Sequence, residues 1–535
     1  MSVSTIPALL DEQARRYGST VAIAGPDTEL TYAELHAAAR TVTRAAMAIG
    51  VRRGDRIAIW APNSAHWVTT ALGLLGAGAT LVPIGTRLRG AEAADTLRRA
   101  RCRGLFTVRG FLGIDYPGLL DGHELPDLCF TVELPSVPLG EHVPARSGAA
   151  HDGADRQLTN QRCEPLSSWS EFLAGAGLVS PSDAEARSAA TSPGDVSDIL
   201  FTSGTTGTPK GVLSTHGNTL TVLDRWASAV TLRHGDRYLL INPFSHTFGY
   251  KAGIVACLLR AVTMVPIEVF DAHAAAEVMA AEAITVLSGP PTVFTDLLRV
   301  GRTFPALRLA GTGGAAIPGT LIDRIRSELG ADEVFTAYGL TESIGVISVC
   351  APGAPAVITA RTVGKALPGS EIRILDPDGI ELPAGTPGEI VVRGPNVMSG
   401  YLDDPDATAR AVDPDGWLHT GDIGTVDADG YLRITDRLKN MFIVGGFNVY
   451  PAEVEQALLE YPAITDAAVM GIPDDRLGEV AAAFVVTDDA EFDVDALVGW
   501  CRGRLAGYKI PRAVRVMDRL PRNTTGKIQT RDLHL

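Results

Sequence analysis

The chain has 535 residues, with 47 Lys plus Arg against 62 Asp plus Glu and a formal net charge of −15. Its 46% hydrophobic and 20% charged residues exclude a disordered chain. The acidic balance argues against nucleic acid or an anionic membrane surface as partner.

No basic segment precedes an apolar core at the N-terminus, where Asp11 and Glu12 come early, so no export signal is expected. Residues 31–50 predict a helix. Thr31 and Glu34 form a capping box, Leu35, Val42 and Ala46 share a face, and Gly50 stops it. Residues 56–60 predict a strand. The apolar run 67–83 is shorter than the ~20 residues a membrane span needs and reads as a buried helix followed by a strand at 80–84. Alternation of strand and helix implies a parallel or mixed sheet covered on both faces. Residues 136–165 hold Pro, Gly, His, Arg and Asp without apolar periodicity and read as a surface loop or insertion. Strands are then expected at 237–241, 263–266, 285–288, 307–310 and 334–338, and helices at 272–282 and 318–329.

After residue 362 the pattern turns β-rich, with strands at 371–375 and 389–392. Strands 423–426 and 431–435 flank the turn Asp427-Ala428-Asp429-Gly430, a hairpin. From about residue 440 the chain reads as a small α+β domain. Its first helix starts at Pro451, with Val454, Ala457, Leu458 and Tyr461 on one face. A second covers 493–505, with Leu497, Val498, Cys501 and Leu505 inward. The six cysteines are scattered without a CxxC, which argues against a disulfide framework or structural metal. The expected fold class is α/β: a large N-terminal body with mixed sheets and a β-rich subdomain, then a small mobile α+β C-terminal domain. A cytoplasmic protein without an integral membrane segment is expected; oligomeric state stays open.

The strongest local signal runs from Ile199 to Gly211. A buried strand leads through Thr202, Ser203, Gly204, Thr205, Thr206 and Gly207 to Lys210. Glycines let backbone N–H groups face an anion, hydroxyls add donors, and the lysine adds charge. It is not a Walker A loop, because Gly211 follows Lys210. Thr341-Glu342 pairs a hydroxyl with a carboxylate after a predicted strand, a combination suited to a Mg²⁺ ion held with phosphates, though a solvated Glu342 reads equally well. Asp422 reads as a residue of a Gly-flanked turn before a hairpin, either a turn or cap residue or an acceptor for ribose hydroxyls. Lys527, alone, would pass as a solvated tail lysine.

Taken together, Ser203 to Gly211, Tyr338-Gly339-Leu340-Thr341-Glu342, Trp417-Leu418-His419-Thr420-Gly421-Asp422, Asp436-Arg437-Leu438-Lys439 with Gly445 to Pro451, and Pro521 to Lys527 resemble core motifs of the adenylate-forming superfamily. They stand in that family's order and span nearly the whole chain. The family comprises acyl-CoA synthetases, adenylation domains of peptide synthetases and beetle luciferases. The resemblance implies ATP and CoA as substrates, Mg²⁺ as metal, and a small carboxylic acid as the group activated. Thr202 to Lys210 would cradle phosphates. Gly313, Gly314 and Ala315 would lie against adenine and the acyl group. Tyr338, Gly339 and Thr341 would contact the nucleotide, Thr341 at the α-phosphate. Glu342 would ligate Mg²⁺, and Asp422 would hold the ribose with Arg437 assisting. His246 would line the carboxylate and phosphate region, with Phe248, Gly249, Tyr250 and Gly289 forming the acyl pocket. Lys527 would be the catalytic lysine.

The same resemblance divides the chain into an adenylation domain, 1–437, and a lid domain, 440–535. The hinge lies at 438–439, with Lys439 as its pivot. Gly445, Gly446 and Phe447 would line the pantetheine channel; many relatives carry lysine where Gly445 stands. Asn242-Pro243-Phe244, Phe248 to Gly253, Gly289-Pro290-Pro291-Thr292 and Gly394 to Met398 are similar to bacterial ligases that activate ring-opened steroid propionates, the methylhydroindanone-propionate CoA ligases. That implies a bulky alicyclic acid, with medium-chain or aryl acids as alternatives. The 136–165 segment departs from those ligases' compact pattern. A free-standing ligase that loads a carrier protein, and a catalytically inactive nucleotide- or acyl-binding regulator, stay open as other readings.

Overall fold

The computed structural model describes residues 3–25, 28–135, 166–202, 209–313, 317, 320–437, 442–444, 447–449, 451–474, 477–502, 504–505, 507–522 and 528–535. The expected insertion at 136–165 lies outside them. By packing, the chain divides into two units. The first comprises residues 1–224, 233–269 and 398–405, the second 225–232, 270–397 and 406–535.

In the first unit an eight-stranded sheet forms from described residues. Its spatial order is Gly400–Tyr401, Lys210–Thr215, Val196–Thr202, Thr80–Pro83, Arg56–Trp60, Gly104–Thr107, Phe130–Glu133 and Ser167–Ser168. From Val196–Thr202 to Ser167–Ser168 neighbours run parallel; Lys210–Thr215 is antiparallel to both its neighbours. Apart from Arg56, the central strands are buried along their length, which is why they read as apolar runs. The predicted helix 31–50 forms as Tyr32–Ala48, with the Thr31–Glu34 capping box intact. The apolar run is the helix Ala65–Gly76, N-capped by Ser64, followed by Thr80–Pro83. A second set of strands in this unit runs Arg237–Leu240, Thr263–Pro266, Val21–Gly25, Thr28–Thr31.

In the second unit Val286–Gly289, Leu309–Gly313 and Glu333–Tyr338 lie parallel and adjacent. Ser348–Cys350 and Lys365–Ala366 extend that side antiparallel. A four-stranded antiparallel sheet has the order Glu371–Leu375, Gly388–Arg393, Leu418–Val426, Leu432–Arg437. The predicted hairpin forms, with Val426 opposite Leu432. Asp427 Oδ1 accepts from the backbone N–H groups of Asp429 and Tyr431 and fixes its turn.

The C-terminal domain is separate and α+β. Phe447–Val449, Phe442–Val444, Gly478–Val486 and Asp466–Asp474 form its sheet, with Ala513–Val516 added parallel to Gly478–Val486. The helices Pro451–Leu459 and Val494–Arg502 bury Val454, Leu458, Leu497 and Cys501 in its core. The helix expected at 318–329 is shorter, Leu321–Ser327. Among the described residues no helix is long and apolar enough to cross a membrane.

Candidate active site

The segment expected to hold phosphates is flanked by two strands of the first unit. Thr202 ends one and Lys210 begins the next, paired antiparallel opposite each other. The Thr202 hydroxyl donates to the Lys210 carbonyl at 3.4 Å, and the Arg99 guanidinium donates to the Pro209 carbonyl at 2.6 Å. The mouth of the loop is therefore tied. Ser203, Gly204, Thr205, Thr206 and Gly207 lie outside the described residues. The Lys210 ammonium stands 4.7 Å above the Tyr401 ring centroid, close enough for cation–π attraction.

His246 caps the short helix Thr247–Gly249; its Nδ1 accepts from the Phe248 N–H at 3.2 Å. With Nδ1 accepting, a neutral ring carries its proton on Nε2. Burial pushes this imidazole down to about 4. His246 therefore offers a neutral Nε2–H donor at ordinary pH, not a cation. Asn63 holds the segment before it, donating to Asn242 O and accepting from Phe244 N, each at 2.9 Å. Gly249 has a packing requirement: a Cβ there would lie 2.2 Å from Pro243 O. Phe248 is half-buried.

Tyr250 opens a π-helical stretch, Tyr250–Val255, a feature frequent at functional sites. Tyr250 is fully buried, with its ring 5.9 Å from Trp67. Burial, with the Asp198 charge nearby, raises its hydroxyl pKa well above the ordinary value. Next to it, Lys251 Nζ sits 3.1 Å from Asp198 Oδ1 and donates to Ser214 Oγ at 2.5 Å. Sequence reasoning carried Lys251 only inside a pocket motif and missed this pair. The available signal was one aspartate within the apolar run 196–201 and one lysine within the apolar run 247–259.

In the second unit Gly289, Gly313 and Tyr338 end three adjacent parallel strands, in register as Gly289–Thr312 and Gly313–Ala337. In α/β sheets ligands bind outside the carboxyl ends of such strands. Gly313 is the last residue of its strand, Leu309–Gly313, and does not follow a strand at 307–310. Gly314 and Ala315 lie outside the described residues. Gly339 packs so closely on Gly345 that a Cβ would lie 2.2 Å from its carbonyl. Thr341 and Glu342 follow in a 3₁₀ turn, Thr341–Ser343, both half-buried. Ser343 Oγ accepts the Leu340 N–H at 2.8 Å and fixes the turn.

Asp422 corrects the sequence reading. It lies inside the strand Leu418–Val426, not in a turn. The ladder with Gly388–Arg393 pairs Glu389 with Ile423 and Val391 with His419, so Ile390 alone faces Thr420, Gly421 and Asp422. This is an enlarged β-bulge, made possible by Gly421 at φ +68°. Asp422 is 3% exposed, and Tyr338 Oη donates to its Oδ2 at 2.5 Å. Arg437 pairs with Asp422 across the backbone ladder. Lys439, Gly445, Gly446 and Lys527 lie outside the described residues, and Phe447 begins the strand Phe447–Val449. The chain on either side of residues 523–527 is anchored: Arg522 bridges Ile528, and its guanidinium reaches Asp466 at 2.6 Å. Glu389 and His419 are neighbours of Asp422 to which sequence reasoning assigned no role.

Fold and strand-end geometry together define an adenylate-forming enzyme. The AMP-binding enzyme family model matches residues 10–402 and the AMP-binding enzyme C-terminal domain model matches residues 453–527; the chain belongs to this family. It is an acid–thiol ligase that uses ATP, CoA and a small carboxylic acid. It is 45% identical over 531 residues to a 3-(7a-methyl-1,5-dioxo-octahydro-1H-inden-4-yl)propanoyl:CoA ligase of Rhodococcus jostii, covering 98% of this chain and 97% of that one. It is 46% identical over 530 residues to the ligase of the same name from Mycobacterium tuberculosis, covering 98% and 97%. Among solved structures it resembles the Bacillus subtilis o-succinylbenzoate CoA synthetase in complex with its acyl-adenylate intermediate. There the TM-score is 0.77 at 27% identity, covering 98% of each chain.

Proposed function

We propose that this ligase activates a bulky alicyclic propionate of the ring-opened steroid type. The observation that carries this is the full-length similarity, at 45% and 46% identity, to two ligases named for a methyl-dioxo-hydroindenyl propionate. The 242–253 segment, fixed by Asn63 and closed by the Asp198–Lys251 pair, supports a preformed acyl wall beside His246.

In the first step a carboxylate oxygen of the acid attacks the α-phosphorus of ATP; the acyl–phosphate bond forms and pyrophosphate leaves. In the second the CoA thiol attacks the acyl carbon, the thiol proton goes to solvent, and AMP leaves. Such transfers depend on positioning and charge neutralisation. Lys210 and the loop before it would hold the phosphates, Thr341 the α-phosphate, and Asp422 the ribose hydroxyls. The His246 Nε2–H would donate to an oxygen of the carboxylate or α-phosphate. Lys527 would stabilise charge during attack, on a lid of residues 440–535 that turns about Lys439 between the steps. Gly445, Gly446 and Phe447 would then admit the thiol.

The residues fit Mg²⁺. Among the described residues no group of three or more His, Cys, Asp or Glu gathers around a metal-sized site. Glu342, half-buried in its turn at the strand ends, suits an ion that takes one or two carboxylates and otherwise phosphates and water. Bound there, the ion supplies charge neutralisation to the polyphosphate. Five described cysteines are unpaired, which suits a reducing cytoplasmic compartment.

A pyrophosphate-release screen over hydroindanone propionates, aryl acids and fatty acids, with and without CoA, tests the reading. Fastest turnover and thioester formation are expected with the alicyclic propionate. Preference for a fatty or aryl acid overturns the substrate, and pyrophosphate release without any CoA thioester overturns the acceptor. Lys527→Ala is expected to abolish acyl-AMP formation while nucleotide still binds; unchanged turnover removes Lys527 from the mechanism.

A further inference from the structure

We propose that Glu389 is a positioning residue: its carboxylate clamps the bulge at Gly421 and so aims Asp422 at the nucleotide ribose. This rests on the reading of Asp422 given above. On the side facing Gly388–Arg393 only Ile390 stands opposite Thr420, Gly421 and Asp422, while Asp422 keeps its ladder pair with Arg437 on the other side. Side chains hydrogen-bond the backbone across this irregular stretch. Thr420 Oγ1 donates to the Ile390 carbonyl at 2.7 Å and accepts the Asp422 N–H at 3.1 Å. Glu389 Oε1 accepts the Gly421 N–H at 3.2 Å. Its other oxygen, Oε2, lies 2.9 Å from His419 Nδ1, on the residue where regular pairing resumes. One carboxylate therefore bridges the bulge, with an oxygen on the left-handed glycine and an oxygen on its flank. Glu389 is 23% exposed and His419 34%, so the pair is screened and geometry matters more than charge.

Removing the carboxylate leaves the Gly421 N–H without this acceptor and lets the backbone before Asp422 relax. Hydrogen bonds weaken steeply with misalignment, so the two ribose contacts suffer before the fold does.

The test compares kcat/KM for ATP and for 2′,3′-dideoxy-ATP, which lacks both ribose hydroxyls. In Glu389→Ala the ATP value is expected to fall about tenfold, with the dideoxy-ATP value and the KM for acid close to wild type. Glu389→Gln keeps an oxygen for the Gly421 N–H and is expected to recover most of the loss. An equal fall on both nucleotides, or no fall, overturns the clamp. Asp422→Ala separates the two claims. If it keeps the preference for ATP over dideoxy-ATP, the ribose reading fails and the clamp with it. If it loses that preference while Glu389→Ala keeps it, only the clamp fails.

Discussion

Two buried aspartates sit beside bulges in two different sheets, and they face different groups. Asp198, 0% exposed, faces the Lys251 ammonium and takes a hydrogen bond from Ser197. The ladder there pairs Val196 with Thr215 and Asp198 with Ser214, so its bulge is one residue, Ser197, whose hydroxyl also donates to Ser214 O. Burial presses the Lys251 pKa down and Asp198 draws it back up. The charge is spent inside the core. Asp422 instead meets the Tyr338 hydroxyl, on the strand end where the parallel set opens, and its bulge is wider and carries a left-handed glycine. Burial alone does not tell the two carboxylates apart; what faces each, and how far the backbone departs from a regular ladder to present it, does.

The largest expected effects test that contrast directly. Lys251→Met leaves Asp198 buried without its cation, and breaking such a pair costs about 3–5 kcal/mol. Urea unfolding should register that loss, with ATP preference over dideoxy-ATP retained in the fraction still folded. Asp422→Asn should do the reverse, cutting kcat/KM for ATP by about a hundredfold with a nearly unchanged unfolding midpoint. A stable, inactive Lys251→Met protein would move Lys251 from scaffold to site.

Much of the scaffold was legible because its signals are local. The Thr31–Glu34 box, the apolar strand 56–60 and the Asp-Ala-Asp-Gly turn each follow from a few neighbouring residues. The strand-end glycines and Tyr338 were legible as motifs, but their convergence depends on the register of three parallel strands, which no local pattern encodes. Asp422 was misplaced for a related reason. Gly421 announces a break in extended structure, and turn and bulge both use a positive φ; only the partner strand, through Glu389 and Ile390, decides between them. Lys251 and Asp198 are 53 positions apart in the chain, and pairing them needs the tertiary fold.

A smaller effect sharpens the bulge itself. Gly421 and Gly430 both have positive φ, +68° and +84°, and a Cβ at either meets nothing within 4 Å. Alanine at each therefore pays only the backbone term, about 1–2 kcal/mol. Thermal midpoints of Gly421→Ala and Gly430→Ala should fall alike. Only Gly421→Ala should also lose ATP over dideoxy-ATP preference, because only it moves Asp422. Equal kinetics in the two variants would mean that the bulge geometry is indifferent to function.

The last expected effect is a pH slope, and it contrasts a scaffold histidine with the histidine proposed for the site. His216, 1% exposed, accepts the Ile6 N–H on Nδ1, and burial pushes it down to about 4, with Asp195 pulling upward; His246 is likewise at about 4. Both rings stay neutral in the folded protein down to that range, while the unfolded chain takes up their protons near 6.5. The unfolded state thus binds more protons between the two values, so their contribution is full above pH 6.5 and declines as pH falls toward 4. Urea midpoints measured from pH 7.5 down to 4.5, in steps of about half a unit, should slope less in His216→Gln and in His246→Gln than in wild type. Turnover at pH 7.5 should stay at wild type in the first and fall in the second. Unchanged slopes in both would mean that burial does not depress either imidazole in the folded protein.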